Sequence, residues 1–399
     1  MTVYRPVLDE ARVPANRDFY APGFEVRIEG ENLPQNVLRD VREVKYIDGL
    51  TEIDRFELVV NNWDPAENRF KFIGSETAAN ADQGLHRLFQ PCEKVVELRM
   101  GYAGNLITMM QGNFTMMEPH FQANAAPTLT VTGLNVLHQL RRKRHSGSWR
   151  SERPSAIAEN LASLREDGQP RLPLPLVVGP VDANAEPVLD YTAQTNQYDI
   201  DFLLNLARRH GYELVEQQPG QPGVQRRQLY FGPGSNARAP VNYALDWGRS
   251  MVEFMPTITS HNQVKSVTVR GWDRRAQRAI EEKIEFNDPE LQRLNADLDE
   301  FVQCDPREEI VVDRPVFTRE EARDYARAVL RDRAASVIEA TGTTVGLPEL
   351  RAGTRIRIGE IGSRLSGDYL VKKTEHIVND SGYLTKFEAR REQLPQVAS

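Results

Sequence analysis

Two cysteines in 399 residues are too few, and too far apart in the chain, to staple a fold together. Cys92 and Cys304 make no Cys-x-x-Cys pair, which argues against a disulfide framework or a structural zinc site and suits a reducing compartment. Long apolar runs are missing too: nothing approaches the roughly 18 residues that a membrane-spanning helix needs. The first residues, Met1 to Phe19, mix both charges and hold no apolar core of signal-peptide length, so synthesis and folding in the cytosol are expected. Positive charge is not in excess. A formal net charge of −7 provides no broad basic surface for displacing counterions from a nucleic acid.

Catalytic and ligand-binding patterns are equally scarce. The seven histidines fall in no His-Glu-x-x-His spacing, and none clusters with a cysteine. His376 and Glu375 are neighbours on a predicted strand, so they face opposite sides of it, and His376 reads as a strand histidine with a hydrogen-bond partner. No Gly-x-Ser-x-Gly elbow, P-loop or dinucleotide fingerprint occurs. The acidic pairs Glu281-Glu282, Glu308-Glu309 and Glu320-Glu321 lie in polar stretches where a solvated face is their ordinary meaning, although paired carboxylates leave a glycoside hydrolase conceivable. The run Arg141-Arg142-Lys143-Arg144-His145 reads as a solvated helix end or loop, or else as a patch facing an acidic partner. No metal or cofactor is implied.

What remains is the composition of a globular chain, 40% hydrophobic and 27% charged, long enough for about two to three domains with real cores. Its most informative stretch is Arg355 to Arg391, which reads as a β-meander with strands at Arg355 to Gly359, Asp368 to Val378 and Tyr383 to Ala389. The last two are joined by the turn Asn379-Asp380-Ser381-Gly382. Glu97 to Thr132 echoes it. Leu98 and Gly101 answer Ile356 and Gly359, Gly104 answers Gly362, Gly112 and Phe114 answer Gly367 and Tyr369, and Leu129-Thr130 answers Leu384-Thr385. A second echo sets Leu58 to Asp64 against Val267 to Asp273, each ending in Trp-Asp at Trp63 and Trp272, where core packing at a domain edge is expected. Meanders share glycines and alternation; the repeat also fits two copies of one β domain. The glycines, Gly353 among them, read as turns and bulges, since no strand-to-helix context places helix amides against a phosphate.

Around these echoes the chain divides into an arm (1–22), a first β domain (23–145), an inserted α+β domain (146–245), a second β domain split into 246–275 and 341–393, a charged loop and helix insertion (276–340) and a tail (394–399). Helices are expected at Pro154 to Leu164, at Asp199 to Gly211 with Asp199 as its N-cap, and from a Thr318–Glu321 capping box to about Ala340. The stretch from Arg274 to about Arg314 is expected to be exposed loop with one short helix.

Val267 to Asp273, Arg314-Pro315-Val316 leading to Glu320-Glu321-Ala322, Gly342, Gly346, Pro348, Gly353, Gly367, Tyr369, Val371, His376 and Gly382-Tyr383-x-Thr385 occur in an order that resembles the phage late control gene D family, the central hubs of contractile tail baseplates. The helix from Asp199 with its following strand is similar to the N-terminal hub part of the type VI secretion spike protein VgrG. The resemblance covers about 195–393 well and 23–145 loosely, and its motifs are structural glycines and turns. It implies a β-rich α+β fold with two tail-tube-like antiparallel β-barrel domains. It also implies a homotrimer whose six similar domains ring an axis, adapting a trimeric spike to a hexameric inner tube beside other baseplate components. Because the chain ends soon after Arg391, the spike is expected to be a separate protein. No enzymatic activity is implied. A baseplate-associated cell-wall hydrolase and a receptor-binding module stay open as alternatives.

Overall fold

In the computed structural model, residues 21–392 are described except for 51, 75–84, 92–93, 181–185, 211, 218–224, 234–242, 262, 287–305 and 314. Both cysteines lie outside the described residues, so the expectation about them is not addressed. The fold is α+β and rich in strand, as its β-branched, alternating segments dictate. Arg55–Asn61 illustrates the cause: Phe56, Leu58 and Val60 are wholly buried, while the residues between them are half exposed.

Twelve strands organise the molecule: β1 (Pro22–Ile28), β2 (Val41–Gly49), β3 (Arg55–Asn61), β4 (Val95–Tyr102), β5 (Asn105–His120), β6 (Thr128–Asn135), β7 (Tyr243–Asp246), β8 (Met251–Ile258), β9 (Ile338–Val345), β10 (Arg355–Gly359), β11 (Gly367–Asn379) and β12 (Gly382–Glu392). In space the first six run β1-β4-β5-β6-β3-β2 and the second six β7-β10-β11-β12-β9-β8. The two orders match position for position. One pairing differs in direction: β1 is antiparallel to β4, whereas β7 is parallel to β10.

The irregularities match as well. A bulge at Val41/Glu43 faces Val60/Val59, and one at Met251/Glu253 faces Thr344/Thr343. Val60 then pairs with Leu129 and Thr344 with Thr385. Four residues further on, Gly133 and Ala389 face the bulges Phe114/Met116 and Val371/Lys373. This ladder sets Phe114 beside Val371 and Leu98 beside Ile358, two residues away from the match suggested by the sequence echo, and Leu129 beside Thr385, one residue away from it. A two-residue slip keeps every side chain on the same face, so alternation cannot detect it; the one-residue difference at Leu129 corrects a match made on a shared Leu-Thr pair alone.

The halves are not separate. Lys373–Asn379 of β11 pairs with Glu43–Gly49 of β2, joining both sets and the two-residue strand Glu31–Asn32 beside β1 into one 13-stranded sheet among the described residues. Within those residues the strand pairings close no barrel; the edge of β11 beyond β10 is taken by the other half. The cores are shared too, with Val378 and Tyr383 packed among first-half residues such as Val44, Tyr102 and Phe114.

Two modules branch from this sheet. In the first, helices Pro154–Ser163 and Asp199–Arg209 bury Ile157, Leu161, Phe202, Leu203 and Leu206 against Leu229 and Phe231. Asp199 is not the N-cap, which falls at Tyr198; its buried carboxylate instead accepts from Arg171 Nε and Gln194 Nε2, each at 2.7 Å. In the second, Ser266–Asp273 lies between Arg278–Glu285 and Glu308–Val311. Among the described residues of the stretch expected as loop, Arg278–Glu285 and Glu308–Val311 are strand, with Ile280 buried and Val311 facing the same core; 287–305, where the short helix could fall, lie outside the described residues.

This placement corrects the second echo. Ser266–Asp273 belongs to a separate sheet, and the spatial counterpart of Arg55–Asn61 is β9. Trp272 is 49% exposed, because its strand leaves the core after Val269, while Trp63 is half-buried edge-on to Phe70 at 5.2 Å. The helix capped by Thr318 runs Arg319–Ala335; Thr318 accepts from Glu321 N at 3.1 Å and Glu321 from Phe317 N at 2.9 Å. It stops short of Ala340, because the alternating Ile338–Val345 is β9.

Gly112 shows how tightly the ladder is drawn. A Cβ there would sit 1.8 Å from the carbonyl oxygen of Leu134, a backbone atom with no freedom to retreat, whereas a Cβ at Gly104 would meet open space and only its φ of 81° resists substitution. Chemical denaturation should find Gly112→Ala destabilised by more than about 3 kcal/mol and Gly104→Ala by about 1 kcal/mol.

Candidate functional site

The most concentrated polar chemistry lies where the halves meet. Antiparallel pairing places Asp48 opposite Thr374 and Tyr46 opposite His376, all four side chains buried. Thr374 Oγ1 donates to Asp48 Oδ1, and Ala352 N donates to Asp48 Oδ2 at 2.9 Å. His376 Nε2 is 2.9 Å from the carbonyl oxygen of Leu350, so that nitrogen carries the proton. Its Nδ1 then accepts from the Tyr383 hydroxyl at 2.9 Å. Tyr46 Oη and Asn135 Nδ2 donate to Asp54 Oδ2 at 3.3 and 3.2 Å. The Arg351 guanidinium stacks over the Tyr46 ring at 4.5 Å and reaches Thr108 O at 3.4 Å. Tyr102 from the first half donates to Gly346 O of the second at 2.9 Å.

Burial decides the charge states. It pushes the Asp48 carboxyl up against the opposing pull of Arg351. Asp54 goes well above the usual range through burial and then through the charges of Asp48 and Glu216. Burial, reinforced by Arg351, holds His376 well below the ordinary imidazole range, so it is neutral. Tyr383 is pushed far up by burial. A neutral histidine, a tyrosine and two carboxyls form a set that elsewhere could transfer protons. Here both histidine nitrogens are committed and His376 has no exposed surface, so no substrate reaches it. The cluster acts as a latch: satisfied polar groups that lock one pairing register.

Of the residues singled out from sequence, His376 and Tyr383 belong to this latch, His376 as the hydrogen-bonded strand histidine that was expected. Gly101 and Gly104 shape the β4–β5 turn, and Gly112 lies within β5. Gly353 precedes β10; Gly359, Gly362 and Gly367 span the β10–β11 connection, and Gly382 closes the β11–β12 turn. Tyr369 is a core residue whose hydroxyl donates to Leu365 O at 2.6 Å. These positions are dispersed along the strands and turns of the sheet. Asp48, Asp54, Tyr46, Tyr102 and Arg351 were not legible as a group, because partners such as Asp48 and Thr374 stand 326 residues apart. The basic run near 141 is paired in part within the chain. Arg141 meets Asp201 at 3.2 Å, Lys143 and His145 meet Glu166, and Arg144 stacks on Tyr198. Among the described residues no group of three or more His, Cys, Asp or Glu is placed to hold a metal, and no helix is long and apolar enough to cross a membrane.

The latch makes a pH prediction. His376 stays neutral when folded but binds a proton in the unfolded chain below its ordinary value of 6.5, so its contribution to stability is present above pH 6.5 and is lost as pH falls. His210, pushed down to about 4 by burial, acts with the same sign. Asp48 and Asp54, raised in the folded state, act oppositely. Urea titrations between pH 6.5 and 4.5 should therefore show a less positive slope of stability against pH in His376→Asn than in the parent, by up to about 1.4 kcal/mol per pH unit. Equal slopes would show that the folded protein tolerates the imidazolium.

Solved structures of phage tail proteins share this fold. The 43 kDa tail protein of prophage MuSo2 from Shewanella oneidensis matches with a TM-score of 0.64 at 15% identity, over 93% of this chain and 98% of that one. The tail protein from Neisseria meningitidis MC58 matches at 0.61 and 13% identity, over 93% and 97%. The E. coli c3393 protein is a component of the type VI secretion system with structural similarity to the T4 bacteriophage tail proteins gp27 and gp5. It matches at 0.52 and 12% identity, over 91% of this chain and 76% of that one. At these identities the likeness is one of fold. No curated protein matches the chain. The family model described as the Alg8 N-terminal domain matches residues 20–380, and the chain belongs to that family.

Proposed function

We propose that the chain is a structural hub in the baseplate of a contractile injection machine, where three copies ring the axis and adapt a trimeric spike to a hexameric inner tube. One observation carries this reading: the repeated strand order with its coincident bulges, which gives each chain two similar β units. Two units in each of three chains make six similar positions about a threefold axis, the arrangement that a threefold-to-sixfold adaptor needs. In this reading the first unit spans β1 to β6 and the second β7 to β12, with the two branching modules inserted between their strands. Each unit's sheet is tube-like and is completed by its neighbours around the ring. The tail-protein folds of its structural neighbours support the same assignment.

The role is one of scaffolding: the buried latch fixes the angle between units. The partners are a separate spike protein at one face of the ring, an inner tube protein at the other, and further baseplate components. Light scattering on the purified full chain should give a mass of three chains, or of three chains plus the spike when its spike protein is added. A single copy of the chain under both conditions would remove the ring.

A further inference from the structure

The face of the seam that looks away from the latch carries a second constellation. Side chains alternate along paired strands, so Glu43 and Lys45 of β2 and Asn379 of β11 stand on the face opposite to Asp48, Tyr46 and His376. Glu43 lies directly across from Asn379, and Lys45, directly across from Ile377, is the diagonal neighbour of Asn379. The Glu43 carboxylate joins the other two: Lys45 Nζ lies 3.0 Å from Oε1, and Asn379 Nδ2 donates to Oε2 at 3.2 Å. The carboxamide is held at its other end as well, because Ser381 N donates to Asn379 Oδ1 at 2.9 Å. Glu43, Lys45 and Asn379 are half-buried, on a face where Ile47 and Ile377 are buried.

We propose that this is a site of spontaneous covalent cross-linking, in which the Lys45 amine displaces ammonia from the Asn379 carboxamide and an isopeptide bond ties β2 to β11. The atoms balance without a co-reactant. Lys45 Nζ, as the neutral amine, attacks Asn379 Cγ, and the bond from Cγ to Nδ2 breaks. Glu43 accepts the proton that Nζ sheds and passes one to Nδ2, which leaves as ammonia. Each role has its contact in place: the attacking and departing nitrogens sit on the two oxygens of one carboxylate, and the Ser381 amide faces the oxygen on which negative charge develops. The reach is sufficient too, since diagonal neighbours on antiparallel strands lie about 7 to 8 Å apart, within the span of a lysine and an asparagine side chain joined end to end. Holding amine and carboxamide side by side in a folded sheet replaces an encounter in solution and lowers the barrier accordingly.

The surrounding charges set the rate. The hydrogen bond to Glu43 raises the Lys45 amine above the ordinary lysine value against the opposing effect of burial, and the carboxylates of Glu43, of Glu375 on β11 and of Glu57 on β3 add to the rise. Burial works to raise Glu43, but hydrogen bonds from Lys45 and Asn379 and the charges of Lys45 and of Lys386 on β12 bring it below the ordinary carboxylate value. Both groups are therefore ionised near neutrality, where the reactive neutral amine is scarce and the bond forms slowly. As pH rises Lys45 gives up its proton while Glu43 stays ionised to act as base, so the reaction accelerates. Loss of ammonia makes the product permanent. The two halves are then joined by a covalent bond on one face of the seam and by the polar latch on the other. The inference concerns a single chain and does not depend on the hub reading.

The test is mass spectrometry of the folded full chain, intact and after digestion. Incubation should lower the mass by about 17 Da, that of ammonia, and digestion should release a branched peptide joining Lys45 to Asn379. The branched peptide should accumulate at least about tenfold faster near about pH 9.5 than near about pH 7.5, following the neutral amine. Lys45→Arg keeps the cation and its ion pair with Glu43 and should give no branched peptide. Glu43→Gln should slow its formation by about tenfold or more while circular dichroism stays that of the parent. A folded parent chain without the branched peptide after prolonged incubation at the higher pH would overturn the proposal. So would a loss of ammonia that persists in Lys45→Arg, because that marks a succinimide formed at Asn379 by the backbone nitrogen of Asp380. Cross-linking of Glu43→Gln at the parent rate would overturn the proton transfer assigned to Glu43.

Discussion

The ladder between Glu43–Gly49 and Lys373–Asn379 is the constraint on which the rest of the molecule depends. Without it, the two six-strand sets would be free to take any relative orientation. With it, they form one sheet, share a core, and hold a fixed twist from one unit to the next. The polar groups in the ladder explain its fidelity. A slip by one residue would turn Thr374 and His376 away from Asp48 and Tyr46 and leave a buried carboxyl and imidazole without partners, at a cost of about 1 to 3 kcal/mol for each unsatisfied group. Apolar side chains alone would impose no such penalty.

Much of this architecture was legible in the chain. The alternation of Arg355 to Arg391, its turn at Asn379 to Gly382 and its echo at Glu97 to Thr132 all became paired strands at the right places. The Thr318 cap, with its reciprocal Glu321, marked the helix start correctly. The misreadings share physical causes. A repeat of period two hides a two-residue shift, so the glycines and Phe114 were matched to the wrong neighbours. The Trp-Asp endings of Leu58 to Asp64 and Val267 to Asp273 are local turn chemistry, and similar turns close unrelated strands. The latch was out of reach because Asp48, Arg351 and His376 come together only through pairing across most of the chain's length, and nothing local to Asp48 distinguishes it from an ordinary surface aspartate.

In the hub proposal each chain contributes two similar β units to a threefold ring, and a cryo-electron microscopy map of the chain in its assembled particle tests it most directly. The map should show three copies on the axis with six similar β units around them. Copies placed off the axis, or a single copy in the particle, would contradict it.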